Sequence, residues 1–457
     1  MTVESYDVLV FGGGKAGKTL AMDQAKAGRR VAVIERGLIG GSCINVACIP
    51  SKTLIRSAHI AHLARKAHVF GSSAEPILDM AKVATRTAAV VGEMVDLNLR
   101  GFAAAGFELV LGWGRFVEPR VIEVATEAGP RRLTADQIFL NLGTTADIPD
   151  VPGLAEAEAI THVEALRLDS VPEHLLVLGG GYIGLELGQA YRRLGSRVTI
   201  LEASDQVARR EDDDVAQAMR QVLEDEGLEI IVGARGASVQ GRSGHAVTIT
   251  LADGRAFSGS HLLVAAGRRP MTRGIGLEIA GVELDAGGFV KTDETLRTSA
   301  PGIWALGEIA GTPMFTHASL DDYRVVKSAL AGGPRTTAGR LVPYCVFIDP
   351  ELARVGLNEK EAKAAGVSYR IATLPMDVVP RARTLGERKG LMKALIGDDD
   401  QILGFTMLGA QAGEVMTAVH MAMLGALPYT AVRDAIIAHP TLAEGLNLLL
   451  ANVHAPA

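Results

Sequence analysis

The chain has 457 residues, 48% of them apolar, 21% charged and only 4% aromatic, with a formal net charge of −6. That length accommodates about three domains at roughly 150 residues each, the acidic balance leaves no electrostatic footprint for nucleic acid or an anionic membrane, and no apolar run approaches the ~20 residues of a membrane span. The opening "MTVESYDVLVF" passes almost at once into a strand, so no signal peptide is expected and the protein is expected to be soluble and cytoplasmic.

"YDVLVF" (Tyr6 to Phe11) is apolar, short and stopped by glycines, the pattern of a buried parallel strand. The next stretch, "FGGGKAGKT" (Phe11 to Thr19), satisfies two phosphate codes at once. Gly12, Gly17, Lys18 and Thr19 match a nucleoside-triphosphate P-loop, whereas Gly12, Gly14 and Gly17 match the G-x-G-x-x-G loop of a dinucleotide-binding βαβ unit. Both loops present backbone N–H groups at a helix N-terminus, so local physics does not separate them. A helix is expected from about Ala16 to Ala27, closed by Gly28, and then a strand ending in Glu35.

Cysteines follow directly, in "GGSCINVACIPSK" (Gly40 to Lys52). The chain has three in all, Cys43, Cys48 and Cys345, too few for a disulfide scaffold and without zinc-ligand spacing. In a cytosolic chain a close pair is more often redox-active than structural. Residues i and i+5 of a regular helix sit too far apart for a relaxed bridge, so pairing Cys43 with Cys48 requires a distorted turn. A helix N-terminus and nearby Lys52 would both stabilise a thiolate there. The alternative is two buried free thiols.

"HLLVLGGGYIGLELGQAYRRLGSRVTILE" (His174 to Glu202) repeats the first unit part for part. Gly179, Gly181 and Gly184 take the loop positions, Gly195 the cap and Glu202 the terminal acid. Gly12 to Glu35 spans 23 positions, as does Gly179 to Glu202, and each acid lies 18 beyond its last loop glycine. That is near the ~20 expected for a carboxylate gripping a ribose hydroxyl. Two matched copies select the dinucleotide code over the P-loop, and leave Lys18 expected as a solvated lysine on the first helical turn. Two such units imply one bound and one exchanging dinucleotide, typically FAD and NAD(P)H.

The stretches Gln137–Pro149 and His261–Pro270 read as the chain passing between the two dinucleotide domains. From "LVPYCVFIDPELARVG" (Leu341 onward) the texture changes to alternating strands and Ala-, Leu- and Met-rich helices. The helix in "EVMTAVHMAMLGA" is apolar nearly all round, which points to burial against a second subunit. The expected fold is α/β: two doubly wound dinucleotide-binding domains plus a C-terminal α+β dimerisation domain. The boundaries are 1–148 with 268–340 for FAD, 149–267 for NAD(P), and 341–457 for the last domain.

With "GGSCINVACIPSK", "GGGYIGLELG", "LLVAAGRRP", "GIWALGE", "FIDPELARVG" and "AHPTLAEG" the whole chain resembles the FAD-dependent pyridine nucleotide–disulfide oxidoreductases, relatives of lipoamide dehydrogenase, glutathione reductase and mercuric reductase. The resemblance implies that Cys48 is the flavin-side thiol and Cys43 the interchange thiol that attacks substrate. It implies that Tyr182 screens the flavin until nicotinamide arrives, and that Lys52, paired with Glu186, lies near flavin N5. His439 and Glu444 would form an acid–base dyad contributed across a two-fold homodimer, so that active sites are shared. Beside the glycine loops and terminal acids, Gly114, Gly143, Glu308 and Gly267 are expected to contact the cofactors. Glu308 stands where the family has aspartate, and is expected to bind the ribityl chain all the same. Cys345 resembles a buried strand position.

The absence of a C-terminal cysteine pair argues against mercury as substrate, and Glu202 would repel a 2′-phosphate, which favours NADH; Arg209 and Arg210 keep NADPH open. "GKAGKTLA", "FTHASLDDYRVV" and "VVPRARTLGERKG" resemble the reactive-chlorine-resistance branch, associated with hypothiocyanous acid and copper(II) reduction. Dihydrolipoamide dehydrogenase is the enzymatic alternative, and a redox-sensing flavoprotein scaffold without turnover the non-enzymatic one. No metal site is expected.

Overall fold

Strand Val3–Phe11 is the spine of the first sheet, since β-rich "YDVLVF" is buried on both faces and pairs in parallel on both edges. The computed structural model describes residues 2–73 and 75–456. Strand order runs Glu108–Leu111, Val31–Glu35, Val3–Phe11, Gly129–Leu140, Val121–Thr126, Trp113–Glu118. The 12-residue strand Gly129–Leu140 serves two neighbours on its far edge. Its first half pairs antiparallel with Val121–Thr126, and its end pairs parallel with Ile303–Ala305. A late segment is thereby returned to the first glycine loop.

The second unit repeats the parallel arrangement, in the order Glu229–Ile231, Arg197–Leu201, His174–Leu178, His261–Val264. The antiparallel meander Gly236–Arg242, Ala246–Leu251 and Ala256–Gly259 packs on its outer face. Between the units, Thr144–Ala146 pairs antiparallel with Arg268–Pro270, so the outgoing and returning chains form one two-stranded ladder. The third unit is a five-stranded antiparallel sheet in the order Tyr344–Val346, Glu351–Gly356, Ile402–Gly409, Leu391–Ile396, Arg370–Pro375. Helices Ala412–Leu424 and Gly445–Leu450 pack on it. The fold class is two Rossmann-like α/β units and a separate C-terminal α+β unit.

One apolar cluster joins all three. It includes Leu54 of helix Cys48–Lys66, Leu185 and Ile200 of the second unit, and Val346 and Leu408 of the third. Each such side chain, fully buried, contributes ~1.5–3 kcal/mol, so the helix that begins at Cys48 is fixed from three sides. Helix Ala412–Leu424 buries Val415, Met416 and Val419, while Met421 and Leu424 remain exposed. Burial all round is therefore not met within a single chain. Among the described residues no helix is long and apolar enough to cross a membrane.

Candidate active site

The first glycine loop forms one wall of a cleft of about 1030 Å³ that also exposes Glu35, Gly41, Cys43, Gly114, Gly143 and Glu308. Gly12 sits at φ 101°, and a Cβ there would lie 2.4 Å from the Asn141 carbonyl oxygen. Any side chain would push apart the loop and the end of strand Gly129–Leu140. Gly14, the N-cap of helix Lys15–Lys26, has no side-chain cap, which leaves the first N–H groups facing the cleft. Gly17 is set back, with its N–H on Asn141 Oδ1 at 3.0 Å.

Both terminal acids are held in matching ways. Glu35 accepts from the N–H groups of Gly13, Gly37 and Leu38 at 2.9, 3.0 and 3.1 Å. Glu202 accepts from Gly180 at 2.6 Å and Ser204 at 2.7 Å. Each carboxylate thus ties its glycine loop to the end of the next strand, a task the ribose-gripping expectation did not include. In the second loop Gly179 has φ 113° and Gly184 packs on its carbonyl, whereas a Cβ at Gly181 would meet nothing within 4 Å. Open space at Gly181 fits close approach of a ligand, and Gly267, at φ 150°, precedes ladder strand Arg268–Pro270. Arg209 and Arg210 are exposed.

The segment carrying Cys43 and Cys48 has the distorted turn that pairing at this spacing would demand. Cys43 lies in the short helix Ser42–Asn45, and Cys48 is the first residue of helix Cys48–Lys66. Val46 and Ala47 break the two, Ala47 standing at φ −135°, ψ −104°. Both sulfurs are thiols here. The neighbouring Cys43 thiol favours charge on Cys48, and Thr316 and Lys52 add to this against the cost of burial, so Cys48 is lowered to about 6. Cys43 is correspondingly pushed up, first by its neighbour Cys48 and then by burial. Position at the start of a 19-residue helix acts in the same direction on Cys48. Thr316 begins helix Thr316–Leu330, and its Oγ1 lies 3.7 Å from Cys48 Sγ.

Lys52 Nζ is 2.6 Å from Glu186 Oε2 and 4.6 Å from the Phe347 ring centroid, while Glu186 Oε1 accepts from Phe347 N at 2.8 Å. One carboxylate thus ties all three units together beside Cys48. Tyr182 stands at the start of helix Tyr182–Leu194 and stacks on Tyr344, which stacks on Phe315 at the cleft. Glu308 Oε2 accepts a short hydrogen bond from Thr144 and lies 3.6 Å from Arg268, so the ladder between the units helps hold it.

In the C-terminal unit His439 Nδ1 lies 2.7 Å from Glu444 Oε2. The imidazole is 71% exposed and the carboxylate 11%, so a buried acid orients an open ring. Among the described residues no hydrogen bond joins His439 to either cysteine of its own chain.

One sequence expectation is wrong. Lys18 is not solvated: it is buried, with Nζ on Gly40 O at 3.2 Å and on Asn98 Oδ1 at 2.6 Å. The long helix Met80–Ala105 covers it, and nothing near Lys18 in the chain announces that helix. Cys345 is half-buried, with its thiol pushed up by burial and by Glu351. Sequence reasoning also missed Thr316, Asn141, Glu211 and Tyr344. Only Asn141, a polar residue ending an apolar strand, carries a local signal.

The family pyridine nucleotide-disulphide oxidoreductase matches residues 6–322, and its dimerisation domain matches residues 342–449. The chain is 36% identical over 459 residues to "Probable pyridine nucleotide-disulfide oxidoreductase RclA" of Escherichia coli, covering 99% of this chain and 100% of that one. It is 35% identical to a dihydrolipoyl dehydrogenase of Thermus scotoductus, covering 97% and 96%. Among solved structures, the Cu(II) complex of the HOCl-induced flavoprotein disulfide reductase RclA from Escherichia coli superposes with a TM-score of 0.90 at 34% identity, covering 99% of each chain.

Proposed function

The chain belongs to the FAD-containing pyridine nucleotide–disulfide oxidoreductases, close to the mercuric-reductase enzymes, and from that membership we propose that Cys43 and Cys48 are its redox pair and that a small reactive-chlorine-derived oxidant, hypothiocyanous acid or copper(II) is its electron acceptor. It is a flavoprotein disulfide reductase that passes electrons from NAD(P)H through FAD to a redox disulfide. FAD, when bound, supplies the two-electron relay between nicotinamide and disulfide.

The residues present fit that cofactor. The uncapped helix start at Gly14 and the open cleft beside Glu35 suit a pyrophosphate and a ribose, and Gly114, Gly143 and Glu308 border the rest of the cleft. At the second loop Gly179, Gly181 and Gly184 would take the nicotinamide dinucleotide. Glu202, already an anion facing that loop, favours NADH over NADPH.

The observation that carries the redox assignment is the placement of two free thiols at a broken helix start, Cys48 opening helix Cys48–Lys66 with Thr316 Oγ1 3.7 Å from its sulfur. Cys48, lowered to about 6, is thiolate at neutral pH, and Cys43 borders the cleft. With hypothiocyanous acid, the Cys43 sulfur takes the thiocyanate sulfur and one water leaves. The Cys48 thiolate then displaces thiocyanate anion as the Cys43–Cys48 bond forms. With copper(II), two ions are reduced to copper(I) as the Cys43 proton leaves and the same bond forms with the Cys48 thiolate. His439, oriented by Glu444, accepts the Cys43 proton and returns it to the departing oxygen. Its exposure fits a site completed by a second copy of the chain, in keeping with the dimerisation domain.

Steady-state kinetics of the flavin-loaded protein test this reading, comparing NADH and NADPH against hypothiocyanous acid, copper(II), lipoamide and glutathione disulfide. Efficient turnover of the first two with NADH is expected. Lipoamide as the best acceptor would make the protein a dihydrolipoamide dehydrogenase, and no turnover with any acceptor would make it a scaffold.

A further inference from the structure

Lys18 is 8% exposed, and among the described residues it forms no ion pair with any carboxylate. Its Nζ meets two neutral acceptors, Gly40 O and Asn98 Oδ1. The amide of Asn98 is itself held, since Nδ2 donates to Met94 O at 2.7 Å. A buried ammonium without a counter-charge is costly, and proteins keep one where it meets an anion in some state of the cycle.

The position of the charge identifies that anion. Gly40 and Gly41, at φ 85° and 87°, form the turn that delivers Cys43, and a Cβ on Gly41 would lie 2.7 Å from Gly14 Cα. The turn is thus wedged between the first glycine loop and Lys18, three residues before the sulfur. Lys15 borders the cleft, whereas Lys18 does not. The titratable groups bearing on Lys18 are Lys15 of its own helix and Cys43. Helix Met80–Ala105 presents it the neutral Asn98. The groups bearing on Cys43 are Cys48, Thr316 and Lys18; those on Cys48 include Lys52 and Glu186.

We propose that Lys18 is a positioning residue of the redox site: it clamps the Gly40–Gly41 turn to Asn98 and holds an ammonium behind Cys43 that lets its sulfur carry negative charge. This rests on Cys43 being the thiol that attacks the oxidant. Burial, followed by Lys15, lowers Lys18 to about 8, while charge on Cys43 raises it. The ammonium is therefore firmest when Cys43 is anionic, as a counter-ion should be.

The test uses the flavin-loaded Cys48→Ser protein, in which Cys43 is free of its partner's charge, and follows Cys43 alkylation by iodoacetamide against pH, with the labelled peptide identified by mass. Adding Lys18→Met is expected to raise the midpoint by ~1 pH unit, a roughly tenfold slower reaction at neutral pH. Lys18→Arg should stay near the parent. Asn98→Asp, which keeps the lysine and neutralises it with a carboxylate, should also raise the midpoint. Equal midpoints in the parent, Lys18→Met and Asn98→Asp proteins would overturn the proposal. Should Lys18→Met fail to hold flavin, Asn98→Asp decides alone. Cys43→Ser in the otherwise native enzyme separates the two layers: retained oxidant reduction would remove the Cys43 reading itself, whereas its loss beside unshifted midpoints removes only the role of Lys18.

Discussion

The Tyr182 hydroxyl donates to Glu211 Oε1 at 2.5 Å, and the Tyr344 hydroxyl donates to the same oxygen at 2.5 Å. Glu211 is fully buried, with Arg354 Nη1 at 3.5 Å from its other oxygen. The ring at the head of the second glycine-loop helix is thereby latched to the C-terminal unit. A hydrogen bond to a charged partner is worth ~1.5–3 kcal/mol, and an entering nicotinamide that moves the ring must break it. Tyr182→Phe keeps the ring and Glu211's other partners. Its KM for NADH is expected to fall a few-fold, of order 1 kcal/mol, with kcat within about twofold. An unchanged or higher KM in initial-rate measurements would show that the latch does not oppose entry.

The pH dependence follows from Cys48. Its pKa in the fold, about 6, lies below the ordinary thiol value of 9.0, so the thiolate dominates above about 6 and the thiol below it. The stability that ionisation lends the reduced protein is complete above the ordinary thiol value and lost as pH falls through about 6. Oxidant reduction is expected to share that acid limb. Lys52→Met removes a cation that lowers Cys48, and should move the limb upward by roughly one unit. A pH–rate profile of the two proteins checks both statements; coincident limbs would contradict the second.

His439 and Glu444 supply a test of site sharing. His439→Ala is expected to lower kcat/KM by ~10²–10⁴. Cys43→Ser and His439→Ala subunits, each inactive alone, should regain about a quarter of native activity when co-assembled, because one site of each mixed two-fold dimer is then whole. No recovery would place the dyad and the cysteines of a working site on one chain.

Glu308 is held by Thr144 and Arg268, elements of the ladder between the units. Glu308→Ala is expected to release flavin during dialysis roughly tenfold faster than the native protein, the cost of ~1.4 kcal/mol from one lost hydrogen bond. Absorbance of the retained flavin measures it. Equal retention would mean that the residue serves the ladder alone.

Much of the site was readable locally. Glycine loops, caps and terminal acids are codes written within one βαβ unit, so matched spacing exposed both copies. The five-residue separation of Cys43 and Cys48 demanded a broken helix, and the break stands at Val46–Ala47. The same spacing assigned Glu35 and Glu202 to ribose and overlooked their hold on Gly13 and Gly180.

What the amino-acid order determined by itself was therefore whatever is written at short range: the fold class, two dinucleotide loops and two cysteines set across a helix break. Tertiary structure alone decided the electrostatics. Lys18 meets Asn98 across 80 positions, Lys52 meets Glu186 across 134, and Tyr182 meets Tyr344 across 162. The charge state of a side chain depends on which groups exclude water from it and which face it. Those neighbours arrive from distant segments only when the three units close on a common core.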